Sequence, residues 1–183
     1  MNFTETILKG CYTVDLNVFE DSRGWFARTY CEDEFKKIEH DKPWVQINHS
    51  FTAKKGAIRG MHFQLPPYAE IKLVRCIAGS VFDVVIDLRK NSPTFLKWIG
   101  VELSGVNKKM IYIPQGFAHG FQALSDNVEL IYQHSAAYNS ESESGIRYDD
   151  KTIKIDWKLP VTDISEKDKC YALLNEHFKG LEI

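Results

Sequence analysis

Nine short runs with strand character crowd the middle of this chain, and few folds can absorb so many. They cover residues 12–19, 25–30, 45–51, 57–64, 71–77, 81–88, 98–103, 110–114 and 128–133. Each is rich in β-branched and aromatic residues and is bounded by turn formers, which predicts strands. Strands this short and this dense predict a mainly β fold, a barrel or a double-sheet jelly roll. In the clearest run, Phe82, Val84, Ile86 and Leu88 fall on one face while Asp83, Asp87 and Arg89 fall on the other. That is the period-2 signature of a strand. The apolar face is expected in the core and the acids toward water, a partner strand or the lumen. Short helices flank this body, one over residues 31–38 and one beginning at Ser165. Ser165-x-x-Asp168 has the spacing of a capping box. Tyr171, Leu174 and Phe178 then recur at helical intervals and Gly180 suits a stop, which predicts a helix with an apolar stripe on the barrel.

A length of 183 residues with 44% hydrophobic content predicts a single domain, 1–183, with a proper core. The net charge of −2 leaves no excess of cations to neutralise a phosphate backbone, so extended nucleic-acid binding is excluded. A local cluster of arginines for one anionic ligand remains open. Apolar runs are only a few residues long, and the first twenty residues alternate without a basic start or an apolar leader. A protein of the cytoplasm, with no membrane partner, is expected. Cys11, Cys31, Cys76 and Cys170 form no C-x-x-C pair and are expected as reduced packing residues. The polar stretch 138–145 reads as a surface loop. Residues 89–94 read as a tight turn without chemistry.

Chemistry concentrates in two blocks, Arg59-Gly60-Met61-His62-Phe63-Gln64 and Ile113-Pro114-Gln115-Gly116-Phe117-Ala118-His119-Gly120-Phe121. Each carries one histidine, and the expectation is a small-molecule pocket between two strands that aim them from opposite walls. Barrels of the cupin type often hold a metal through a His-x-His pair and a later Pro-x-Gly-x-x-His block. Pro114-x-Gly116-x-x-His119 matches the second part, but Gln64 stands where the second histidine belongs. Glu70 offers a carboxylate, yet two imidazoles, an amide and one carboxylate make a poor donor set for zinc or iron. No metal and no cofactor are expected, so side-chain acids and bases must do the work.

His62 reads either as a core histidine or as a general base, a role worth roughly 10²–10⁴ in rate. Arg59 and Lys72, expected in the same cavity, favour the base. Lys72 is a candidate Schiff-base amine, phosphate contact or enolate partner, though a lone strand lysine ordinarily faces solvent. Tyr132 is either a buried phenol or an acid entering opposite His62. Asp168 either completes the helix cap or orients an imidazole. Arg23, Arg59 and Arg75 have the forked chemistry to grip a diphosphate.

With these residues assembled, the chain closely resembles the dTDP-4-dehydrorhamnose 3,5-epimerase family of nucleotide-sugar enzymes. The likeness runs from Val18 to Asp168. It includes Asp21-x-Arg23-Gly24-x-Phe26, Gln46-x-Asn48-His49-Ser50, Arg59-Gly60-x-His62-x-Gln64 and Lys72-Leu73-Val74-Arg75-Cys76. It continues through Asp87-Leu88-Arg89, Ser92-Pro93-Thr94-Phe95, the second histidine block, Tyr132, Tyr138 and Ser165-x-Lys167-Asp168. The resemblance implies a metal-free cupin-type jelly roll, a homodimer with exchanged strands, and a nucleoside-diphosphate 4-keto-6-deoxyhexose as substrate. By the family pattern His62 removes the protons on C3 and C5, Asp168 supports it, Lys72 stabilises the enolate and Tyr132 reprotonates from the opposite face. Substrate contacts map onto Arg23 (from the neighbouring subunit), Gln46, Asn48, Arg59, His119, Tyr138, Glu143 and Lys167, with Tyr138 stacking on the base. The chain departs from the pattern at Arg28, Ile47 and Ile71, the last preceded by Glu70. Two other readings are an epimerase of one centre only and a non-catalytic cupin that binds nucleotide sugars.

Overall fold

Alternating β-formers pair into two antiparallel sheets and one hairpin in the computed structural model, which describes all 183 residues. In chain order the elements are β1 (Asn2–Glu5), β2 (Tyr12–Asp15), β3 (Val18–Asp21), β4 (Gly24–Ala27) and α1 (Glu32–Phe35), which runs into a 3₁₀ turn, Lys36–Ile38. Then come β5 (Gln46–Thr52), β6 (Ile58–Gln64), β7 (Lys72–Ala78), β8 (Ser80–Asp87), β9 (Trp98–Ser104) and β10 (Met110–Ile113). The last are β11 (Phe117–Ala123), β12 (Val128–His134), β13 (Glu143–Gly145) and α2 (Glu166–Cys170). One sheet has the order β1-β2-β10-β7-β12-β5, the other β13-β6-β11-β8-β9, and β3-β4 stands as a separate hairpin. This is a mainly β double-sheet jelly roll, one of the two architectures that the strand density predicts and the one that the family resemblance implies.

Between the sheets, Val81, Val85, Phe117 and Phe121 meet Val74, Cys76, Ile111 and Leu130 in one buried cluster. The outer face of the five-stranded sheet presents Phe82, Val84, Ile86 and Leu88, covered by Leu174 and Phe178. Strand β8 is therefore covered on both faces, and its inward acids are buried with it. Asp87 accepts hydrogen bonds from Arg89, Ser92 and Thr94, which closes the 89–94 turn. Residues around α1 cap the six-stranded sheet, where Phe35 packs with Leu73, Met110 and Tyr112.

Several elements differ from their expected bounds. The run 12–19 breaks into β2 and β3, which belong to different sheets, and β4 stops at Ala27. The 138–145 loop ends in strand β13, paired with β6. The final helix ends at Cys170, because long-range bonds outcompete helical ones beyond it. The Leu174 N–H goes to Asp150 Oδ2 at 2.6 Å, and Gly180 turns at φ +96° so that Leu181 bridges to Arg89. The apolar side chains read as a helical stripe still pack inward, but from an extended segment.

Candidate active site

From β6 onward successive strands alternate between sheets except at the β8–β9 hairpin, which stays in one sheet, and that extra step places β6 and β11, and so the two histidine blocks, side by side. Strands β6 and β11 are neighbours, with His62 directly opposite His119 in register. The expectation of imidazoles on facing walls is therefore corrected: both stand on one wall. Facing them are Asn48 and Ser50 of β5, Tyr132 and His134 of β12, and Lys72 of β7. Together with Arg59 these line a cavity of about 220 Å³. A larger hollow of about 720 Å³ lies against the 89–94 turn, lined by Lys9, Arg89 and Lys90 among others, and holds no comparable acid–base set.

Arg59 and His62 are three residues apart, and a regular strand would point them to opposite faces. Register resolves this: Arg59 pairs with Phe121 and His62 with His119, so β6 carries one extra residue against β11. The bulge brings both side chains to the cavity. Glycines make it possible, since a Cβ on Gly60 (φ +133°) would lie 2.5 Å from the Gly120 Cα.

His62 Nε2 lies 2.7 Å from Asp168 Oδ1, which leaves Nδ1 open to the cavity. Asp168 fills both of its expected places with different atoms. Its backbone N–H donates to the Ser165 Oγ at 3.0 Å, while its carboxylate takes His62 and the Gly60 N–H. Burial alone would raise the Asp168 carboxyl, but the His62 bond and charge and the Gly60 and Ser165 contacts outweigh it and hold it below its ordinary value.

Lys72 is buried rather than solvent-facing. Its Nζ lies 3.1 Å from Glu70 Oε1 and 3.4 Å from the His62 carbonyl oxygen, so it spans the two walls. The Tyr132 hydroxyl meets the Ser50 hydroxyl at 3.0 Å, and burial pushes the phenol well up, so it holds its proton. His119 Nε2 sits 2.9 Å from Asp83 Oδ2; burial raises that carboxyl, opposed by the His119 contact. Arg59 reaches Thr52 Oγ1 and the Phe51 carbonyl on β5.

A polar string follows the rim. The Gln46 Nε2 donates to Asn48 Oδ1, and Gln46 Oε1 accepts from the Tyr138 N–H. The Tyr138 hydroxyl donates to Glu143 at 2.8 Å, and Lys167 pairs with that carboxylate at 2.6 Å. Gln64, at the position of the missing metal ligand, is buried and ties down the loop that carries Tyr138. It donates to the Ala137 carbonyl and accepts from the Asn139 N–H. No group of three or more His, Cys, Asp or Glu side chains is arranged to hold a metal ion.

Two expected residues lie elsewhere in this chain. Arg23 sits at the turn of the β3–β4 hairpin, paired with Asp21 and highly exposed. Arg75 points outward from β7 toward the Trp25 ring. Of the departures, Arg28 pairs with Glu34, Ile47 is exposed on the outer face of β5, and Ile71 packs with Phe35 and Leu73. The sequence does not flag His134 or Ser50 as site residues; Glu70, weighed there only as a metal ligand, pairs with Lys72 and His134, and Asp83 lies against His119. Ser50 and His134 follow Asn48 and Tyr132 by two, so strand alternation alone places them on the same face.

A jelly roll whose cavity sets an imidazole–carboxylate pair against a phenol and a buried ammonium defines a class, proteins that move protons on a small polar molecule. Within that class the chain belongs to the dTDP-4-dehydrorhamnose 3,5-epimerase family, whose model matches residues 5–176. It is 45% identical to the dTDP-4-dehydrorhamnose 3,5-epimerase of Shigella flexneri over 92% of this chain and 93% of that one. Its fold is similar to the crystal structure of the enzyme of that name from Elizabethkingia anophelis NUHP1, with a TM-score of 0.92 and 41% identity. That match covers 97% of this chain and 98% of the other. The dTDP-6-deoxy-D-glucose-3,5-epimerase of Legionella pneumophila Philadelphia 1, solved in complex with dTDP-4-keto-L-rhamnose, matches with a TM-score of 0.91 and 38% identity. There the match covers 96% of this chain and 94% of that one.

Proposed function

We propose that the cavity epimerises C3 and C5 of dTDP-4-keto-6-deoxy-D-glucose, toward dTDP-L-rhamnose. The protein is an isomerase of nucleotide sugars, in keeping with its family. The observation that carries the residue roles is the 2.7 Å His62–Asp168 pair facing Tyr132 and Lys72 across one cavity.

The ketone at C4 acidifies the hydrogens on its neighbours and serves as the electron sink. His62 Nδ1 takes a proton from C3 or C5, and Asp168 stabilises the imidazolium that results. Negative charge moves to the C4 oxygen, where Lys72 opposes it. A well-placed partner of this kind is worth roughly 3–4 kcal/mol. Tyr132 then delivers its proton from the other face, and the centre is inverted. Arg59 and His119 contact the sugar diphosphate, while Gln46, Asn48, Tyr138, Glu143 and Lys167 hold the nucleotide along the rim, with Tyr138 stacked on the base. Arg23 joins them from a second subunit. The exposed apolar side chains of the β3–β4 hairpin and of the outer face of β5 support that homodimer.

The test is incubation with dTDP-4-keto-6-deoxyglucose in deuterated water, with the sugar followed by mass and proton spectrum. Deuterium at both C3 and C5 is expected. Uptake at one carbon alone would mean a single-centre epimerase, and no uptake would overturn the reading.

A further inference from the structure

On the wall facing His62, an ammonium and an imidazole share one carboxylate. Glu70 Oε1 lies 3.1 Å from Lys72 Nζ, and Glu70 Oε2 lies 2.8 Å from His134 Nδ1. The side chains of Glu70, Lys72 and His134 are only 8%, 8% and 10% exposed, so water does little to screen them. His134 and Lys72 are register partners on β12 and β7, and Glu70 lies just before β7. The trio is thus fixed by sheet pairing.

Its net charge depends on one proton. With His134 neutral, Glu70 cancels Lys72 and the trio carries no net charge. With His134 protonated, the same carboxylate is divided between two cations and one positive charge is left over. We propose that His134 is a positioning residue for the epimerisation, acting through Glu70 to set how much positive charge Lys72 offers the enolate oxygen. The groups around it are few. Gln46 and Asn48 face it from β5, with Asn48 Nδ2 3.4 Å from His134 Nε2; Tyr132 flanks it on β12. Across the cavity stand His62 with Asp168, and His119 with Asp83. Glu70 is the anion that bonds His134 directly.

The inference rests on the reading of Lys72 as the enolate's partner. Its test is the pH profile of deuterium uptake from solvent at saturating sugar nucleotide, for the parent, His134→Gln and Glu70→Gln. The active form needs His62 neutral and His134 protonated together, so the parent rate should rise and then fall with pH. His134→Gln should keep the rising limb, lose the falling one and run roughly tenfold slower at its optimum, with KM little changed. Glu70→Gln should also lose the falling limb, but hold its rate at high pH. A His134→Gln profile that is merely scaled down, with its falling limb in place, would overturn the proposal. Imidazole proton resonances in the unaltered protein give a second readout. The His134 signal must titrate at one of the two limbs of the parent profile, and titration outside both would equally overturn it. Lys72→Gln separates the two ideas: full exchange in that variant defeats the role of Lys72 itself, whereas lost exchange with an unmoved His134→Gln profile defeats the role of His134 alone.

Discussion

Asp168 joins the chemistry to the stability of the molecule, because its buried carboxylate is held by His62 and the Gly60 N–H. Its carboxyl lies below the ordinary value, so its stabilising contribution is fully present above the unfolded pKa of about 3.9 and is lost as pH falls through the folded value. Asp168→Asn should therefore flatten the acid limb: between about pH 5 and about pH 3 its melting temperature should fall less steeply than the parent's. Parallel curves would mean that the carboxylate is not held in its ionised form. The same variant should lose about a hundredfold in kcat, since asparagine cannot support the imidazolium. His62→Ala should abolish exchange of the sugar hydrogens while binding dTDP nearly as before; normal exchange would remove His62 from the role of base. Period-2 alternation makes much of this site legible. Lys72, Val74 and Cys76 point inward, which already sends Arg75 outward to Trp25 and away from any diphosphate in this chain. The same rule finds Ser50 and His134. It cannot find the partnership of His119 with Asp83, or of His134 with Glu70, because those pairs are made by strands that meet only in the fold.

At the scale of elements, the bulge in β6 escapes sequence reading. Alternation puts Arg59 and His62 on opposite faces, and only the pairing with β11 reveals the extra residue. Gly60→Ala tests it. A methyl group at φ +133°, 2.5 Å from the Gly120 Cα, forces backbone movement. Strain in a glycine-only region and overpacking each cost about 1–3 kcal/mol, so a loss of about 3 kcal/mol or more is expected from the urea midpoint. Exchange activity should fall with it, because Arg59 and His62 cannot both keep their aim. A variant as stable and active as the parent would show that the bulge does not need glycine. Helix α2 errs in the opposite sense: apolar spacing at Tyr171, Leu174 and Phe178 is helical, yet the segment is not. The Asp150 carboxylate, which also takes the N–H groups of Thr152 and Ile153, captures the Leu174 N–H and ends the helical run. No local propensity reports such a distant acceptor.

The whole molecule leaves one contact to be supplied. Strand density was enough to narrow the fold to a barrel or a double-sheet jelly roll, but sheet membership depends on the order in which strands cross between layers, which is why the two histidine blocks share a wall. The β3–β4 hairpin belongs to neither sheet, and Phe19 and Phe26 on it are 68% and 69% exposed. Ile47 and Phe51 on the outer face of the edge strand β5 are 65% and 54% exposed. Apolar surface of this extent is stabilised by covering, and a two-fold dimer covers like patches with like. On the proposed dimer reading, Arg23 at the hairpin turn would complete its partner's cavity. Arg23→Ala and His62→Ala should then each be nearly inactive alone, yet recover activity when unfolded together and refolded as a mixture. Random pairing makes half the dimers mixed, and each mixed dimer holds one site with an intact His62 and an intact Arg23 from opposite subunits. About a quarter of all sites, and so about a quarter of parental exchange, should return in a two-fold dimer. Light scattering must report a dimer in the same sample. Recovery absent from a sample that is dimeric would place Arg23 outside its partner's cavity, and a monomer with full activity would dismiss the exchange altogether.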